Sequence, residues 1–261
     1  MKRKSCKKMK KAVTIILLLA TSILLTGCGS DLKSFFLSDA SMKRMAKEDL
    51  KERYGEEFVV HEVWSLSWHT YAATCSPKAD DRVVFEIGAY KDGTGIYSEN
   101  YGKSVVAAQI SQKLEEELQE YFPNCYVNTY VSIQTGYLNV DNVRDLTMEE
   151  YAERCLRERC CVDVYVDKEA LRDESIANEY QYFSETLQGE IKTGKIPNID
   201  IVEIYYMDAD QLQNCRKYFK ENCQGNSSEV AEGCYEFWFG YSYEKVSKTY
   251  EEYEEMRRGG M

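Results

Sequence analysis

Two kinds of hydrophobic spacing alternate along the chain after residue 40. In some segments apolar side chains recur every three or four residues, which is the spacing of a helix with one buried face. In others they alternate with polar side chains, which is typical of a half-buried strand. This mixture predicts an α+β fold with mixed or mainly antiparallel sheets packed against helices. The predicted helices are 41–54, 98–121, 147–156, 174–192, 208–219 and 244–258, and the predicted strands are 58–70, 82–90, 126–133, 161–166, 199–207 and 233–243.

The strand pattern of 58–70 predicts which side chains share a face. Strict alternation separates a face that carries tryptophan from a face that carries histidine. A turn around 65–67 could interrupt the strand. The first face holds Phe58, Val60, Glu62, Trp64, Leu66 and Trp68, and the second holds His61, Val63, Ser65, Ser67 and His69.

Turn and capping residues mark the boundaries between the predicted elements. Gly55 ends the first helix, and Thr147 with Glu150 forms a capping box, in which a hydroxyl and a carboxylate each accept a hydrogen bond from an end amide. The segment 134–146 is polar and carries turn residues. It therefore predicts two small α+β modules, 41–134 and 147–261.

Composition and charge narrow the classes of function. The chain of 261 residues is 44% hydrophobic, which excludes general disorder. It holds 33 Lys and Arg against 44 Asp and Glu, a net charge of -11. Because nucleic-acid binding depends on Lys and Arg that neutralise phosphates, no nucleic-acid partner is predicted.

The N-terminal residues have the pattern of an export signal. The first eleven residues hold seven positive charges, and an apolar run of 14 residues, 12–25, follows them. This run is shorter than the ~20 residues of a permanent transmembrane helix. A basic segment, a short apolar run and small residues before a cut site predict a cleaved secretory signal. An uncleaved signal anchor is the alternative.

The end of this signal resembles the lipobox of bacterial lipoproteins. The resemblance implies that the thiol of Cys28 is acylated and that the chain is cut just before it. Residues 1–27 are then the signal peptide and 28–40 a tether, and the lipid holds the protein on the extracytoplasmic face of the cell membrane. The matching residues are Leu25, Thr26, Gly27 and Cys28.

Cleavage would change the charge of the protein. Removing the seven positive charges of 1–27 from a chain of net charge -11 leaves a mature chain at -18. Such a surface is repelled by anionic lipid, so the lipid on Cys28, rather than the protein surface, is expected to make the membrane contact.

A second resemblance covers parts of the first module. KERYGEEFVV at 51–60, FEIGAY at 85–90 and the helix 98–121 resemble small Gram-positive lipoproteins that are themselves uncharacterised. The resemblance implies an α+β module and no activity.

No motif predicts a catalytic residue, a metal site or a cofactor. Gly102-Lys103-Ser104 lacks the preceding glycine of a phosphate-binding loop, because Tyr97 occupies that position. The two histidines, His61 and His69, are interpreted as strand residues. Carboxylates are too numerous for the sequence to select a catalytic pair.

Eight cysteines remain after Cys6 and Cys28 are set aside. An even number in an exported chain favours disulfides, and a local bridge among Cys215, Cys223 and Cys234 is the specific prediction. Buried thiols are the alternative. The aromatic stripes around Trp64–Trp68 and 235–243 are interpreted as core, with an exposed binding face as the alternative.

These features favour a membrane-anchored binding or interaction protein over an enzyme. Its expected partners are the membrane, through the lipid on Cys28, and an unknown protein or small ligand. The alternative is an extracytoplasmic hydrolase that acts on cell-wall material through paired carboxylates.

Overall fold

The computed structural model describes residues 37–131, 147–154, 159–172, 175–222, 230–241 and 246–259. It confirms the predicted α+β fold, with two four-stranded sheets packed against helices. The elements in chain order are α1 (Asp39–Tyr54), β1 (Phe58–Ser65), β2 (Thr70–Pro77), β3 (Phe85–Tyr90), β4 (Ile96–Glu99), α2 (Tyr101–Leu118), β5 (Cys125–Val131), α3 (Met148–Arg154), β6 (Cys160–Asp167), α4 (Ile176–Gln181), α5 (Gln188–Thr193), β7 (Ile199–Met207), α6 (Ala209–Phe219), β8 (Tyr235–Gly240) and α7 (Tyr250–Gly259). A π-helical turn, Tyr182–Leu187, joins α4 to α5.

The first sheet is an antiparallel meander in the order β1-β2-β3-β4, with α1 packed on one face. The predicted division of 58–70 into two faces is wrong beyond Val60. A β-bulge lies between Val60 and Glu62, so one extra residue shifts the alternation and places Val63 in the core with Phe58 and Val60. Strict alternation had put Glu62 on that buried face.

Two strands of this sheet were not predicted. Strand β2 is buried along nearly its whole length and is rich in small residues, so it lacks the polar-apolar alternation of a half-buried strand. Strand β4 has four residues, too few for a periodic signal. The chain turns between β1 and β2 at 66–69, slightly later than the turn expected around 65–67.

The second sheet is mixed and has the order β5-β6-β7-β8. Strands β6 and β7 are parallel, and the helical crossover from α4 to α5 connects them. Strands β5 and β8 pair in antiparallel fashion at the two outer positions. The main core lies between one face of this sheet and helices α2, α4 and α7, whereas α6 covers part of the opposite face.

The predicted boundary between modules at 134–146 does not separate the two sheets. Strand β5 precedes that segment but pairs along its full length with β6, which follows it. Helix α2 also contributes to both cores, with Tyr101 and Val105 under the first sheet and Ile110 and Leu114 under the second. The modules 41–134 and 147–261 therefore share a sheet, because strand pairing outweighs the polar composition of the segment between them.

Several predicted helix ends are confirmed. Gly55 ends α1 in a left-handed conformation, with φ of 72°, that a side chain would disfavour. Thr147 and Glu150 form the capping box, since each side chain accepts from the other residue's amide at 3.2 and 3.0 Å. The first helix begins earlier than expected, because Ser38 caps it, and Asp39 therefore belongs to α1 and not to the predicted tether 28–40.

Candidate functional site

A cleft of about 820 Å³ runs beside strand β5. Helix α2 forms one wall, and the end of α6 with the residues after it forms the other. Its size is within the range of ligand sites in proteins, about 300–1,000 Å³. The residues that line it include Arg82, Lys103, Ser104, Ala108, Ser111, Glu115, Tyr126, Asn128, Thr129, Tyr130, Val131, Arg216, Phe219 and Lys220.

The floor of the cleft is the outer edge of β5. Within the described residues β5 is an edge strand, because only β6 pairs with it. In an antiparallel pair, backbone groups of alternate residues point toward the partner strand and away from it. Two contacts identify the outward set: the Val127 amide donates to Glu115 at 3.5 Å, and the Cys125 carbonyl accepts from Arg216 at 2.7 Å. By the same alternation, the backbone groups of Thr129 and Val131 also point outward.

The start of this edge is closed by charged side chains of the neighbouring helices. Glu115 is buried and also faces the Arg82 guanidinium at 3.5 Å. Arg216 additionally donates to the Asn124 side chain at 3.2 Å. These contacts satisfy the first part of the exposed edge, as native proteins commonly do to prevent unwanted strand pairing. They leave the part around Thr129 uncovered by a described strand.

Thr129 supplies a buried polar group in the cleft wall that has no partner. The residue is only 6% exposed, and its hydroxyl makes no hydrogen bond within the described structure. A buried hydroxyl without a hydrogen-bond partner lowers the stability of the folded state, so such groups are rare in native proteins. A ligand group that hydrogen-bonds there is one physical explanation.

The opposite face of the same sheet carries a pair of carboxylates. Asp163 on β6 and Glu203 on β7 are register partners, so their side chains lie on the same face of adjacent strands, about 5 Å apart at the backbone. Asp163 is fully buried and accepts from the hydroxyls of Tyr165 at 3.1 Å and Tyr130 at 3.4 Å. Tyr205 donates to Glu203 at 2.8 Å.

The burial of Asp163 changes its acidity. Desolvation is the main cause and the nearby charge of Glu203 the second, and together they raise the pKa of Asp163 to about 7, against the smaller opposing effect of the two tyrosine hydroxyls. Tyr130 also lines the cleft, so the same side chain contacts the cleft and the carboxyl group of Asp163.

The residues singled out from the sequence lie elsewhere or outside the described part. Lipobox residues Leu25, Thr26, Gly27 and Cys28 all fall in 1–36, outside the described residues. His61 lies in β1 as predicted, where its ring contacts the Ser76 hydroxyl at 2.9 Å, and burial lowers its pKa. His69 lies in the β1–β2 turn rather than in a strand.

Gly102, Lys103 and Ser104 form the first turn of α2, which is the interpretation favoured over a phosphate loop. Two of these residues, Lys103 and Ser104, line the cleft.

The cysteines of the predicted local bridge are not joined where the structure describes them. Cys215 and Cys234 both carry free thiols, and Cys223 lies outside the described residues. The Cys215 thiol faces Met207 sulfur at 3.6 Å and the Val230 carbonyl at 3.8 Å, and burial raises its pKa to about 12. It is therefore a buried packing residue, the alternative that the sequence left open.

Neither the cleft nor the carboxylate pair was identified from sequence. The acidic residue inside the otherwise apolar strand β6 was a usable signal, because a strand buried on both faces rarely holds a carboxylate without a partner. In the ranges that the structure covers, no cluster of His, Cys, Asp and Glu side chains could hold a metal ion. No helix in those ranges is long and apolar enough to cross a membrane.

A comparison with solved structures finds a similar fold in the crystal structure of a DUF5037 family protein from Ruminococcus gnavus ATCC 29149. The TM-score is 0.66 at 19% sequence identity, and the alignment covers 84% of this chain and 99% of that chain. No protein-family model matches the sequence, and no curated protein matches it. At this identity the likeness establishes the fold, so the protein has the same α+β architecture as that DUF5037 family protein.

Proposed function

We propose that this chain is a lipid-anchored extracytoplasmic protein that binds an extended peptide in the cleft, as an additional strand on β5. The observation that carries the proposal is an edge strand whose outward backbone groups form the floor of a large cleft. Peptides commonly bind to such edges, because main-chain hydrogen bonds supply affinity and side-chain pockets supply selectivity.

The position and length of the site follow from the contacts along β5. Glu115 and Arg216 already occupy the outward groups of Val127 and Cys125. An incoming strand would therefore pair around Thr129 and Val131, and its side chains would reach the Thr129 hydroxyl, which has no partner in the part of the chain that the structure describes. A segment of about three to five residues is enough to use these groups, at ~3.3 Å per residue.

The charge of the cleft favours a ligand that carries carboxylates. Four cationic side chains line it, Arg82, Lys103, Arg216 and Lys220, against two acidic ones, Asp81 and Glu115. The balance is therefore positive in a protein whose net charge is -11. Complementary charge accelerates association and discriminates against partners of the wrong sign.

We propose a binding function rather than the alternative, hydrolase activity. A hydrolase with paired carboxylates must bring the bond to be cut against both groups. Asp163 and Glu203 are close enough to form such a pair, but Asp163 has no exposed surface and is covered by the Tyr130 and Tyr165 hydroxyls.

Amide exchange would test the proposed binding mode residue by residue. We expect a labelled seven-residue peptide of alternating valine and aspartate to slow exchange at the outward amides of Thr129 and Val131 by at least about tenfold. The amides of Asn128 and Tyr130 already face β6 and should not change. The measurement is NMR hydrogen exchange with fluorescence anisotropy for affinity.

Variants at one position separate the backbone from the side chain. Thr129→Pro removes the outward N–H, which proline tolerates at a sheet edge, and should abolish binding. Thr129→Val keeps the N–H and should weaken binding by only about two- to tenfold.

Lys103→Glu should weaken binding of the aspartate peptide but not of one with lysine in place of aspartate. Equal protection at all four amides, or full binding by Thr129→Pro, would contradict the proposal.

The anchor has a separate test. Lipobox chemistry needs the thiol of Cys28, so Cys28→Ala should abolish labelling with radioactive palmitate and leave a precursor that is longer by 27 residues. Cys6→Ala, which changes a cysteine inside the signal, is the matched control and should be labelled and cut normally. Normal labelling of Cys28→Ala would show that the lipid is attached to another residue and would contradict the proposed anchor.

A further inference from the structure

Exposed large apolar side chains concentrate at one end of the first sheet. Of the seven such side chains among the described residues, four lie around the β1–β2 turn and the neighbouring β3–β4 turn. We define these four as the aromatic tip. They are Leu66 (54% exposed), Trp68 (70%), Tyr90 (40%) and Tyr97 (43%).

Hydrogen bonds within and between the two turns fix the backbone conformation of the aromatic tip. Ser67 bonds across the hairpin, with its hydroxyl 2.7 Å from that of Thr70. Lys91 is buried, and its amine donates to the Ser65 hydroxyl and the Ser67 carbonyl, both at 2.9 Å. Its amide donates to the His69 carbonyl at 2.7 Å, which ties the two turns together.

The two tyrosines extend the same surface. Tyr90 is the register partner of Thr70, at the end of β2 that leaves the hairpin turn. The ring of Tyr97 packs against that of Tyr90 with centroids 5.0 Å apart. Exposure of tryptophan, leucine and tyrosine side chains together on an ordered turn is unfavourable in water, so this patch indicates an interaction surface.

The aromatic tip lies at the end of the module from which the chain leads back to Cys28. Lys43, near the start of α1, donates to the His61 carbonyl, and Lys51, near the end of α1, pairs with Glu57, the residue just before β1. Helix α1 therefore runs antiparallel to β1. Its first residue, Asp39, is directed toward the end of the sheet where β1 enters the turn.

The distance to the lipid is short. Asp39 follows Cys28 by eleven positions, which limits the distance between the two residues to at most about 40 Å. A lipid on Cys28 would thus hold the aromatic tip close to the bilayer surface. Trp and Tyr are the side chains enriched at membrane–water interfaces, where an apolar ring and a polar group each find a suitable environment.

From this geometry we infer that the aromatic tip inserts into the membrane interface beside the lipid anchor. The inference rests on the proposed anchor at Cys28. Insertion of the tip replaces the expectation that the lipid alone contacts the membrane. A mature net charge of -18 repels anionic lipid headgroups, but it does not oppose contact of apolar rings with a neutral lipid interface. Insertion would fix the orientation of the first sheet on the membrane.

Fluorescence quenching of single tryptophans tests the inference. The full chain, purified from membranes and reconstituted in phosphatidylcholine vesicles, is made with Trp68 alone by Trp64→Phe and Trp238→Phe. Insertion should shift the emission of Trp68 to shorter wavelength in unmodified vesicles, and brominated lipid should quench it. The control keeps Trp238 alone by Trp64→Phe and Trp68→Phe, and it should not be quenched, because Trp238 lies on β8 of the other sheet.

Three outcomes separate the tip from the anchor. Vesicle binding with an unquenched Trp68 would overturn the tip and leave the anchor in place. Vesicle binding by a chain that starts at Gly29, and so lacks both the signal and Cys28, would show that the tip binds without the lipid, provided that it falls about tenfold or more in Leu66→Ala with Trp68→Ala. A blue shift of Trp68 without vesicles that depends on protein concentration would instead assign the surface to a second copy of the chain, and would overturn membrane insertion.

Discussion

Arg257→Met is expected to lower the free energy of unfolding by about 3–5 kcal/mol, because it leaves a buried carboxylate without its partner. Arg257 and Glu179 are both fully buried and form a bidentate salt bridge, in which Nε donates to Oε2 and Nη2 donates to Oε1, each at 2.8 Å. The Tyr253 hydroxyl also donates to Oε2 at 2.7 Å. The pair connects the C-terminal helix α7 to α4 beneath the second sheet.

A second variant distinguishes the lost pair from lost packing. Glu179→Gln with Arg257→Met removes both charges and should recover much of the stability, since apolar or neutral replacements of a buried pair are often nearly neutral. The matched control is Arg258→Met, the next residue along, whose contact with Glu254 is solvent-exposed and should be worth at most about 1 kcal/mol.

Urea unfolding of the wild type, Arg257→Met, Glu179→Gln, their double variant and Arg258→Met measures these differences. The first four proteins form a double-mutant cycle that gives the coupling between the two positions. An Arg257→Met protein within about 1 kcal/mol of the wild type would mean that the carboxylate of Glu179 finds another partner or water.

This buried pair illustrates what the sequence could and could not predict. The segment 244–258 was predicted as a helix, and α7 forms over Tyr250–Gly259 with Tyr253 buried. Nothing in that pattern distinguished Arg257 from Arg258, although one is fully buried and the other exposed. The distinction depends on which distant helix packs there, and one-dimensional periodicity does not contain that information.

The elements themselves were predicted best where one physical signal dominated. Strand β7 was predicted at its observed bounds, because a long apolar run of β-branched and aromatic residues is flanked by a turn and by the capping residue Asp208. Strand β2 was missed because both of its faces are buried. The faces of β1 were assigned incorrectly after His61, because a single bulge residue reverses every later side chain.

The candidate cleft was beyond prediction because it is formed by residues far apart in the chain. Arg82 and Glu115 meet β5 only after α2 has packed against that strand, and Arg216 arrives from α6. The hydroxyl of Thr129 gives no signal in the sequence and becomes informative only because it has no partner among the described residues. Such contacts arise from tertiary packing. The export signal, in contrast, is a local pattern of charged, apolar and small residues, so the sequence alone predicts it.

The stability of the wild-type protein is expected to fall by about 3 kcal/mol between pH 5 and pH 8, because the carboxyl group of Asp163 must ionise inside the sheet. Its pKa is raised to about 7 from an ordinary value of 3.8, by burial first and by Glu203 second. Between these two values the folded chain binds a proton that the unfolded chain has released. Stability is therefore highest below pH 4 as far as this group is concerned, and it is lost as the pH rises through 7.

Asp163→Asn should remove this dependence, because an amide occupies the same space and carries no charge at either pH. We expect its free energy of unfolding in urea to match the wild type near pH 5 within about 1 kcal/mol and to exceed it at pH 8. Asp210→Asn changes an exposed acid on α6 and should keep the wild-type slope. If Asp163→Asn retained the full slope, the buried proton would have to belong to another group, and Glu236, whose pKa is also raised by burial and by Glu203, is a candidate.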